Sequence, residues 1–458
     1  MTNHHPTPEA LEQFLLGLLA PTEMREVARH LVDGCLECQD VTTTLWEPAD
    51  VFEDPMALAA ADLSDEGRDD YDEVLDRVFD RVVAAEASLL GEQALAARLH
   101  NELLQCPAER RHLLLTNCQR FSNRLLCERL IDDSFEAGFN EPHQAIDAGR
   151  LAVLLAGHLT PEQCGGGDAV LAGLRARAWA HLGNAYRIGS DFDACEQAFA
   201  EAEALLSEGG ISLIERARVL TLLASWRRVQ SRFGEALQLC DRVAAIYKKL
   251  GQWSLLGRTL LKKSVVCGEA GDGEEEMKLL RRALDLIDPQ TDSRTFLAAR
   301  HNLIIALHDS GRSREAFALL FHTRPLYLKT GDRMSLLKLR WLEGLVAFGL
   351  QRLDQAEAAF REVREAFVEM EVGYDAALAS LDLAGVYILQ GRTADVRWLA
   401  EETLAVFQAH HTHREALAAL LTFCNAARSE RVELDLVREV SSSLKRARNQ
   451  PDSSSRPS

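Results

Sequence analysis

A chain of 458 residues exceeds the length of one ordinary domain unless it is a solenoid that grows by stacking. Its formal net charge of −19 argues against a general affinity for nucleic acid or anionic membranes, because both would repel an acidic protein. Ala, Leu, Glu and Arg dominate, and this composition predicts helices. The first residues are polar and no apolar run reaches membrane-spanning length, so we expect a cytoplasmic protein with reduced cysteines.

The first 45 residues predict a small helical unit. Thr7-Pro8-Glu9 is a helix-start signal, and Pro21-Thr22-Glu23 ends that helix and begins a second one. The second helix runs to about His30, and Cys35 and Cys38 follow it. Imidazole and thiolate groups are the ligands of structural zinc, and a unit this small needs such a staple because it has little core. The alternative is a helix end followed by an incidental cysteine pair.

The segments that flank the repeats differ from them in composition. Residues 46–70 are dense in Asp and Glu and predict an acidic linker. Helical periodicity resumes at Tyr71, and residues 71–169 are predicted to form an N-terminal cap or degenerate repeats. At the other end, residues 429–447 predict a C-terminal capping helix, and residues 448–458 predict a disordered tail rich in Ser and Pro.

Residues 170–428 predict six repeats of about 40 residues. Equivalent helix-turn-helix corners fall at 195, 236, 276, 316, 356 and 396, one step of 41 followed by four steps of 40. The first repeat has a face of apolar residues on each of two helices and a glycine that lets the helices approach closely. The residues that form this pattern are Trp179, Leu182, Gly183, Tyr186, Phe199 and Ala202.

This pattern resembles the tetratricopeptide repeat (TPR) family. The resemblance implies an all-α, TPR-type α-solenoid, a right-handed superhelix whose first helices line a concave groove that holds peptides or helices of other proteins. TPR regions are not enzymes in themselves. The sequence also contains no phosphate loop, nucleophile elbow or His-Glu-x-x-His motif, so we expect no enzymatic activity.

TPR offsets applied to each repeat predict which side chains line the groove. Five of them are arginines, whose guanidinium forks match carboxylates, so we expect an acidic peptide, a free C-terminus or an acidic protein partner. The alternative is that these arginines pair with acidic residues of adjacent helices. The predicted groove residues are Arg177, Asn184, Arg187, Arg218, Ser225, Arg228, Arg258, His301, His308, Lys338 and Trp341.

The first 45 residues resemble the zinc-binding domain at the head of anti-sigma factors, in which an early His or Cys precedes His-x3-Cys-x2-Cys. The resemblance assigns His5, His30, Cys35 and Cys38 as ligands of a structural zinc ion, with His4 as the rival of His5. This chain departs from the pattern because four residues, rather than three, separate His30 from Cys35. The segment is therefore either a zinc-binding unit or a metal-free descendant of one.

Two functions are consistent with this organisation. The first is a non-enzymatic adaptor or regulator whose groove binds a partner protein or acidic peptide, and whose N-terminal unit is a second interaction site, by resemblance for a sigma factor. The second is a sensor that changes shape when it binds a peptide signal. We also expect the acidic linker to fold back over the N-terminal repeats and compete with an acidic partner.

Overall fold

The computed structural model describes residues 5–15, 19–32, 35, 38, 89–138, 141–165, 167–207, 210–410 and 414–449. The predicted acidic linker at 46–70, the predicted helix start at Tyr71 and residues 450–458 of the predicted tail lie outside these residues, as does His4.

The chain divides into two compact units, Met1–Cys106 and Pro107–Ser458. The described helices of the first unit are α1 (Pro8–Leu15), α2 (Pro21–Val32) and α3 over 89–105. Around α1 and α2 the buried side chains are few, with Leu11, Val27 and Cys38 at the centre. A core of this size contributes little stability, so a further constraint on this unit is physically reasonable.

The second unit is a stack of helices, and no strand occurs in the described part of the chain, which confirms the predicted all-α solenoid. Its α-helices are α4 (Ala108–Asn117), α5 (Arg124–Ala137), α6 (Pro142–His158), α7 (Gly167–Ile188), α8 (Phe192–Ser207), α9 (Leu213–Val229), α10 (Phe233–Lys249), α11 (Trp253–Glu269), α12 (Gly273–Leu286), α13 (Ser293–Asp309), α14 (Ser313–Thr330), α15 (Arg333–Gly349), α16 (Leu353–Glu369), α17 (Gly373–Leu389), α18 (Thr393–His410), α19 (Arg414–Arg428) and α20 (Leu434–Asn449).

Six helix pairs, from α7–α8 to α17–α18, turn at corners that share one backbone conformation. At each corner a single residue has φ between 58° and 90°, and the next residue donates its N–H to a carbonyl five residues earlier, as Asp191 does to Tyr186 at 2.9 Å. This is the Schellman type of helix end. The left-handed residues are Ser190, Ser231, Gly271, Gly311, Gln351 and Gly391. The repeat spacing of the sequence is therefore the spacing of these corners.

Two glycines let the helices within a pair approach closely. A Cβ atom on Gly183 would lie 3.0 Å from Cδ2 of Phe199, and one on Gly344 would lie 2.6 Å from Cε1 of Phe360. Both phenylalanines are almost wholly buried, so their rings have no free space into which to move. Gly183 therefore has the close-approach role that the TPR resemblance implies, and Gly344 repeats it in the fifth pair.

Replacing Gly344 with alanine is expected to lower the free energy of unfolding by about 1–3 kcal/mol, because the new methyl group would overlap the ring of Phe360. The matched control is Gly234→Ala, since a Cβ there meets no atom within 4 Å. That change is expected to be neutral or to stabilise the protein by up to about 1 kcal/mol. Urea unfolding followed by circular dichroism measures both. Equal stability of the two variants would contradict the close approach.

Trp179, which begins the TPR pattern, is only partly buried. It lines a surface cleft of about 460 Å³ together with Arg150 and Glu201, so one side of its indole faces solvent. The tryptophan inside the solenoid is Trp226 of the second pair, which is 2% exposed. The deeply buried indole therefore belongs to the second pair, one repeat beyond Trp179.

Helices also pair on either side of the six repeats. On the N-terminal side, α5 packs against α6, and both contact α7. The predicted boundary at 428 separates α19 from α20, but these two helices pack against each other. α20 also contacts α17, the first helix of the sixth pair, and it extends to Asn449, beyond the predicted end at 447. Among the described helices, none combines the length and the apolar character that a membrane crossing requires.

Candidate functional site

The structure brings together the four residues that the sequence assigns to zinc. His5 precedes α1, His30 lies in the last turn of α2, and Cys35 and Cys38 follow that helix. Their ligand atoms all lie within 4.8 Å of one another. Nδ1 of His5 is 3.2 Å from the sulfur of Cys35 and 3.5 Å from that of Cys38. Nε2 of His30 is 3.4 Å from the sulfur of Cys38.

These distances suit a tetrahedral zinc ion. Zn–S bonds of about 2.3 Å and Zn–N bonds of about 2.0–2.1 Å at tetrahedral angles separate a sulfur from a nitrogen by about 3.5 Å. The extra residue between His30 and Cys35 does not move Cys35 out of the group. Two imidazoles and two thiolates would fill all four positions, which is the arrangement of a structural site rather than a catalytic one.

The groove of the second unit is bounded by the first helices of the pairs, and two of its predicted arginines are held by carboxylates. Arg177 bridges Glu128 at 3.1 Å and Glu215 at 3.5 Å, and Arg218 lies 2.7 Å from the same Glu215. Glu128 belongs to α5 and Glu215 to α9. These contacts tie neighbouring helices together, which is the alternative role for the predicted groove arginines.

Arg258 of the third pair also has a carboxylate partner. Its Nε lies 2.6 Å from Oδ2 of Asp292, the residue that caps α13. Burial alone would raise the pKa of Asp292, but the hydrogen bonds from Arg258 and Thr295 outweigh it and hold that pKa below its ordinary value. Arg258 therefore stabilises a helix start, and its charge is already compensated.

Three other cations form a group that we call the basic cluster: Arg187 on α7, Arg228 on α9 and Lys262 on α11. Arg228 pairs with Glu269. Arg187 has no such carboxylate among the described contacts; its Nε and Nη2 donate to the amide oxygen of Asn184 at 3.2 and 2.9 Å. The predicted groove residues Asn184, Arg187 and Arg228 are thus joined in one polar surface across successive repeats.

Lys262 is the member of the basic cluster that the sequence analysis missed. Its ammonium group donates to Oγ of the predicted groove residue Ser225 at 3.0 Å and to the carbonyl of Thr221 at 3.2 Å. Both acceptors are neutral. The signal was present in the sequence as a lysine pair, Lys262 and Lys263, inside an apolar helix. The TPR offsets did not select Lys262, because they assign each groove residue from its own helix alone.

Burial and mutual repulsion act on the basic cluster together. The pKa of Lys262 is lowered to about 8 and that of Arg187 to about 10, chiefly by burial, and the charge of Arg228 contributes to both shifts. Burial also raises the pKa of Glu269, against the opposing effect of Arg228. The described surface therefore carries three cations and one carboxylate in a partly desolvated position, where electrostatic interactions are screened less than in water.

His301, a predicted groove residue of the fourth pair, contacts a tyrosine hydroxyl. Nδ1 of His301 lies 2.6 Å from the hydroxyl of Tyr327, and burial with the nearby charge of Lys338 lowers the pKa of His301 to about 4. His301 is therefore neutral at physiological pH. Lys338 lies close enough to act on His301, which places the two predicted residues in one part of the groove.

The predicted residue of the fifth pair, Trp341, joins two repeats. Its indole Nε1 donates to Oδ2 of Asp382 at 2.7 Å, and its ring packs edge-to-face on Phe367 with centroids 5.6 Å apart. Burial raises the pKa of Asp382 to about 6, although the hydrogen bond from Trp341 opposes that shift. Trp341 therefore places an aromatic ring and a buried carboxyl group, that of Asp382, in this part of the groove.

Acidic groups also lie near His308, another of the predicted groove residues. Burial raises the pKa of Glu276 to about 7, and the charges of Asp309 and Glu269 raise it further. Burial lowers the pKa of His308, while Asp309 opposes that change. The basic cluster therefore lies on α7, α9 and α11, whereas Glu276, Asp309 and Asp382 lie on α12, α13 and α17.

No protein-family model and no curated protein matches this chain. A solved structure of a Rap protein complexed with Competence and Sporulation Factor is similar in fold, with 11% identity and a TM-score of 0.52, covering 71% of this chain and 88% of its own. Aspartyl phosphate phosphatase F from Bacillus subtilis gives 14% identity and a TM-score of 0.49, over 89% of this chain and 96% of its own. A STAND protein with a tetratricopeptide repeat sensor from Pyrococcus horikoshii has 12% identity and a TM-score of 0.44. The match covers 94% of this chain and 72% of that protein. The chain is a protein of TPR-like helical repeats.

Proposed function

We propose that this protein is a non-catalytic regulator that binds an acidic peptide, or an acidic segment of a partner protein, in the N-terminal half of its groove. The observation that carries this proposal is the basic cluster, in which three cations have one carboxylate among their described contacts. Carboxylates of a ligand can supply the remaining counter-charge, and hydrogen bonds between charged partners are the strong ones.

The arrangement of the cluster favours an extended ligand over a single ion. Arg187, Arg228 and Lys262 come from three successive helix pairs, so their donors are spread along the groove. Ser225, which is half-buried beside Lys262, can bind peptide groups as well. A short chain with two or more carboxylates meets this spacing better than an isolated anion does.

One similar solved structure supports a regulator that holds a second molecule. It is a Rap protein in complex with Competence and Sporulation Factor, and the match covers 71% of this chain. In the adaptor form of the proposal, the acidic ligand is part of a partner protein. In the sensor form, it is a free peptide that changes the shape of the solenoid.

The sensor form is the second candidate function, and the charges of the basic cluster are the observation that supports it. Arg187, Arg228 and Lys262 are like charges on the first helices of three successive pairs, and Arg228 disfavours the charged forms of the other two, so the three groups repel one another. An acidic ligand that cancels this repulsion would let the first helices approach and tighten the curvature of the groove. Small-angle scattering with and without peptide distinguishes the two forms, because an adaptor keeps its dimensions.

Binding of a fluorescent Asp/Glu-rich peptide with a free C-terminal carboxylate tests the proposal directly. We expect binding that weakens as salt rises, since charge pairing at a partly exposed site is screened. Lys262→Gln and Arg187→Gln are each expected to weaken the affinity by about 10–100-fold, the effect of losing one charge-assisted hydrogen bond. Fluorescence polarisation measures the dissociation constants.

The matched control is Lys278→Gln, which removes a lysine of a second helix whose side chain is 76% exposed. Its peptide affinity is expected to equal that of the unmodified protein. A Lys-rich peptide is the charge-reversed control for the ligand. Equal binding of the two peptides, or unchanged affinity in both cluster variants, would overturn the proposal.

We further propose that His5, His30, Cys35 and Cys38 bind one structural zinc ion. The support is the donor set and its spacing, which match a closed tetrahedral site. Zinc bound there would hold the start of α1 to the end of α2. Because Cys38 also belongs to the small core of this unit, the ligand set and the packing would stabilise each other.

We also propose that the N-terminal unit is a second interaction site, with a sigma factor as the partner that its resemblance to anti-sigma factors indicates. The support for this proposal is the resemblance together with the four ligand residues that the structure brings close to one another. The groove and this unit would then connect a peptide ligand to a transcription partner.

A further inference from the structure

The C-terminal helix α20 begins on the concave face of the solenoid. Gly385 of α17 stands eleven residues before the corner position 396, as Asn184 stands before 195, so both occupy the groove-facing position. A Cβ atom on Gly385 would lie 3.6 Å from Cδ2 of Leu434, the first residue of α20, and 3.4 Å from Cζ of Phe348. At this position of the sixth pair the chain itself therefore covers the groove-facing side of α17.

The covered surface is apolar over its whole length. α20 buries one face, made of Val437, Val440, Leu444 and Ala447, in the same core cluster as Leu381 of α17. Trp341, Leu345 and Phe348 of α15 pack against that cluster as well. Trp341, Leu345 and Phe348 belong to the first helix of the fifth pair, and Leu381 belongs to the first helix of the sixth pair. The positions that carry Arg187 and Arg228 in the first two pairs are thus occupied by apolar groups here.

A charged contact accompanies the apolar one. Lys445 of α20 is exposed toward the groove, and its charge lowers the pKa values of Glu276 and Asp382 that burial raises. Asp309 acts on the same two carboxylates. We call Glu276, Asp309 and Asp382 the acidic cluster. The surface beneath α20 therefore combines an apolar floor with acidic groups at the end reached by Lys445.

α20 is also a weak helix on its own. Ser441, Ser442 and Ser443 stand in its middle, where serine disfavours helix relative to alanine. A helix of sixteen residues with a single apolar face is marginal in water, so its order depends on the surface that it covers.

We propose that α20 is a built-in occupant of the C-terminal half of the groove, and that a basic amphipathic helix of a partner protein binds there in its place. α20 itself defines the chemistry of the partner: apolar residues spaced like Val437, Val440 and Leu444, with a cation in the place of Lys445. Because α20 is tethered, it competes at high effective concentration and keeps the surface closed to weak ligands. The apolar part of this surface belongs to α15 and α17, whereas the basic cluster belongs to α7, α9 and α11.

The test uses full-length protein and a synthetic, isotopically heavy peptide that corresponds to residues 432–449. Hydrogen exchange followed by mass spectrometry is expected to show faster exchange in the chain's own residues 434–449 when peptide is added, while α17 stays protected. Lys445→Glu in the protein is expected to speed exchange of α20 at least threefold and to tighten peptide binding. The neighbouring Arg446→Glu is the control and is expected to change neither.

A permanent cap would behave differently. The proposal would be overturned if residues 434–449 exchanged as slowly as α17 and if neither excess peptide nor Lys445→Glu changed that rate. A peptide in which the residue equivalent to Lys445 is glutamate is expected to displace α20 less well than the unmodified peptide, and equal displacement would also contradict it. Lys262→Gln separates this proposal from the proposed acidic ligand, because that change is expected to leave displacement of α20 unaltered.

Discussion

Replacing Trp226 with alanine is expected to lower the free energy of unfolding of the solenoid by about 3–5 kcal/mol, the cost of removing a large buried aromatic side chain. The indole is 2% exposed and stacks between Phe192 and Phe199, with ring centroids 5.8 and 6.4 Å away. Its Nε1 donates to Oε2 of Glu196 at 2.6 Å. The change therefore removes both packing between two helix pairs and a hydrogen bond.

Urea unfolding measured by circular dichroism and by intrinsic fluorescence gives the size of the effect. Trp253→Ala is the control, since that side chain is 53% exposed, and it is expected to cost less than about 1 kcal/mol. Trp226→Phe is expected to fall between the two, because it keeps aromatic packing but loses the donor. Similar unfolding midpoints for Trp226→Ala and Trp253→Ala would show that the second pair does not depend on this ring.

Replacing both Cys35 and Cys38 with serine is expected to remove about one zinc ion per chain and to unfold the N-terminal unit. Binding of structural zinc contributes on the order of 10–16 kcal/mol in small zinc domains, far more than the few buried side chains around α1 and α2 can supply. Metal analysis of freshly purified, reduced protein measures the zinc. Hydrogen exchange of residues 5–38 measures the loss of structure.

The control for this change is Cys106→Ser with Cys118→Ser, two cysteines outside the ligand group. Zinc content and protection of residues 5–38 are expected to stay as in the unmodified protein. The solenoid from Pro107 onward is expected to keep its unfolding midpoint in both double variants. Protein that contains no zinc when purified under reducing conditions would end the metal proposal.

The repeat architecture was predictable because it depends on local features of the chain. Helix formers, the recurring corner and the spacing of Gly183 and Phe199 are each readable without knowing any distant contact. The four ligand residues His5, His30, Cys35 and Cys38 were predictable for a similar reason, since they lie within one short segment.

The state of the groove charges was not predictable in the same way. Arg177 and Arg187 occupy similar positions in one helix, yet Arg177 meets carboxylates of α5 and α9 while Arg187 meets only Asn184 among the described contacts. Lys262 escaped selection because its relation to Ser225 depends on how two repeats stack. Offsets within a repeat contain no information about which side chains of neighbouring repeats meet.

By itself the sequence determined the helical class, the 40-residue period and the identity of the candidate zinc ligands, because hydrophobic periodicity, turn residues and short-range spacing encode local structure. Within the part of the chain that the structure describes, only the tertiary structure decided which cations have no carboxylate contact, that Trp226 rather than Trp179 is the deeply buried indole, and that α20 returns to the concave face. These outcomes depend on contacts between residues far apart in the chain, such as Gly385 with Leu434. Their energies arise from burial and charge that exist only once the helix pairs have stacked.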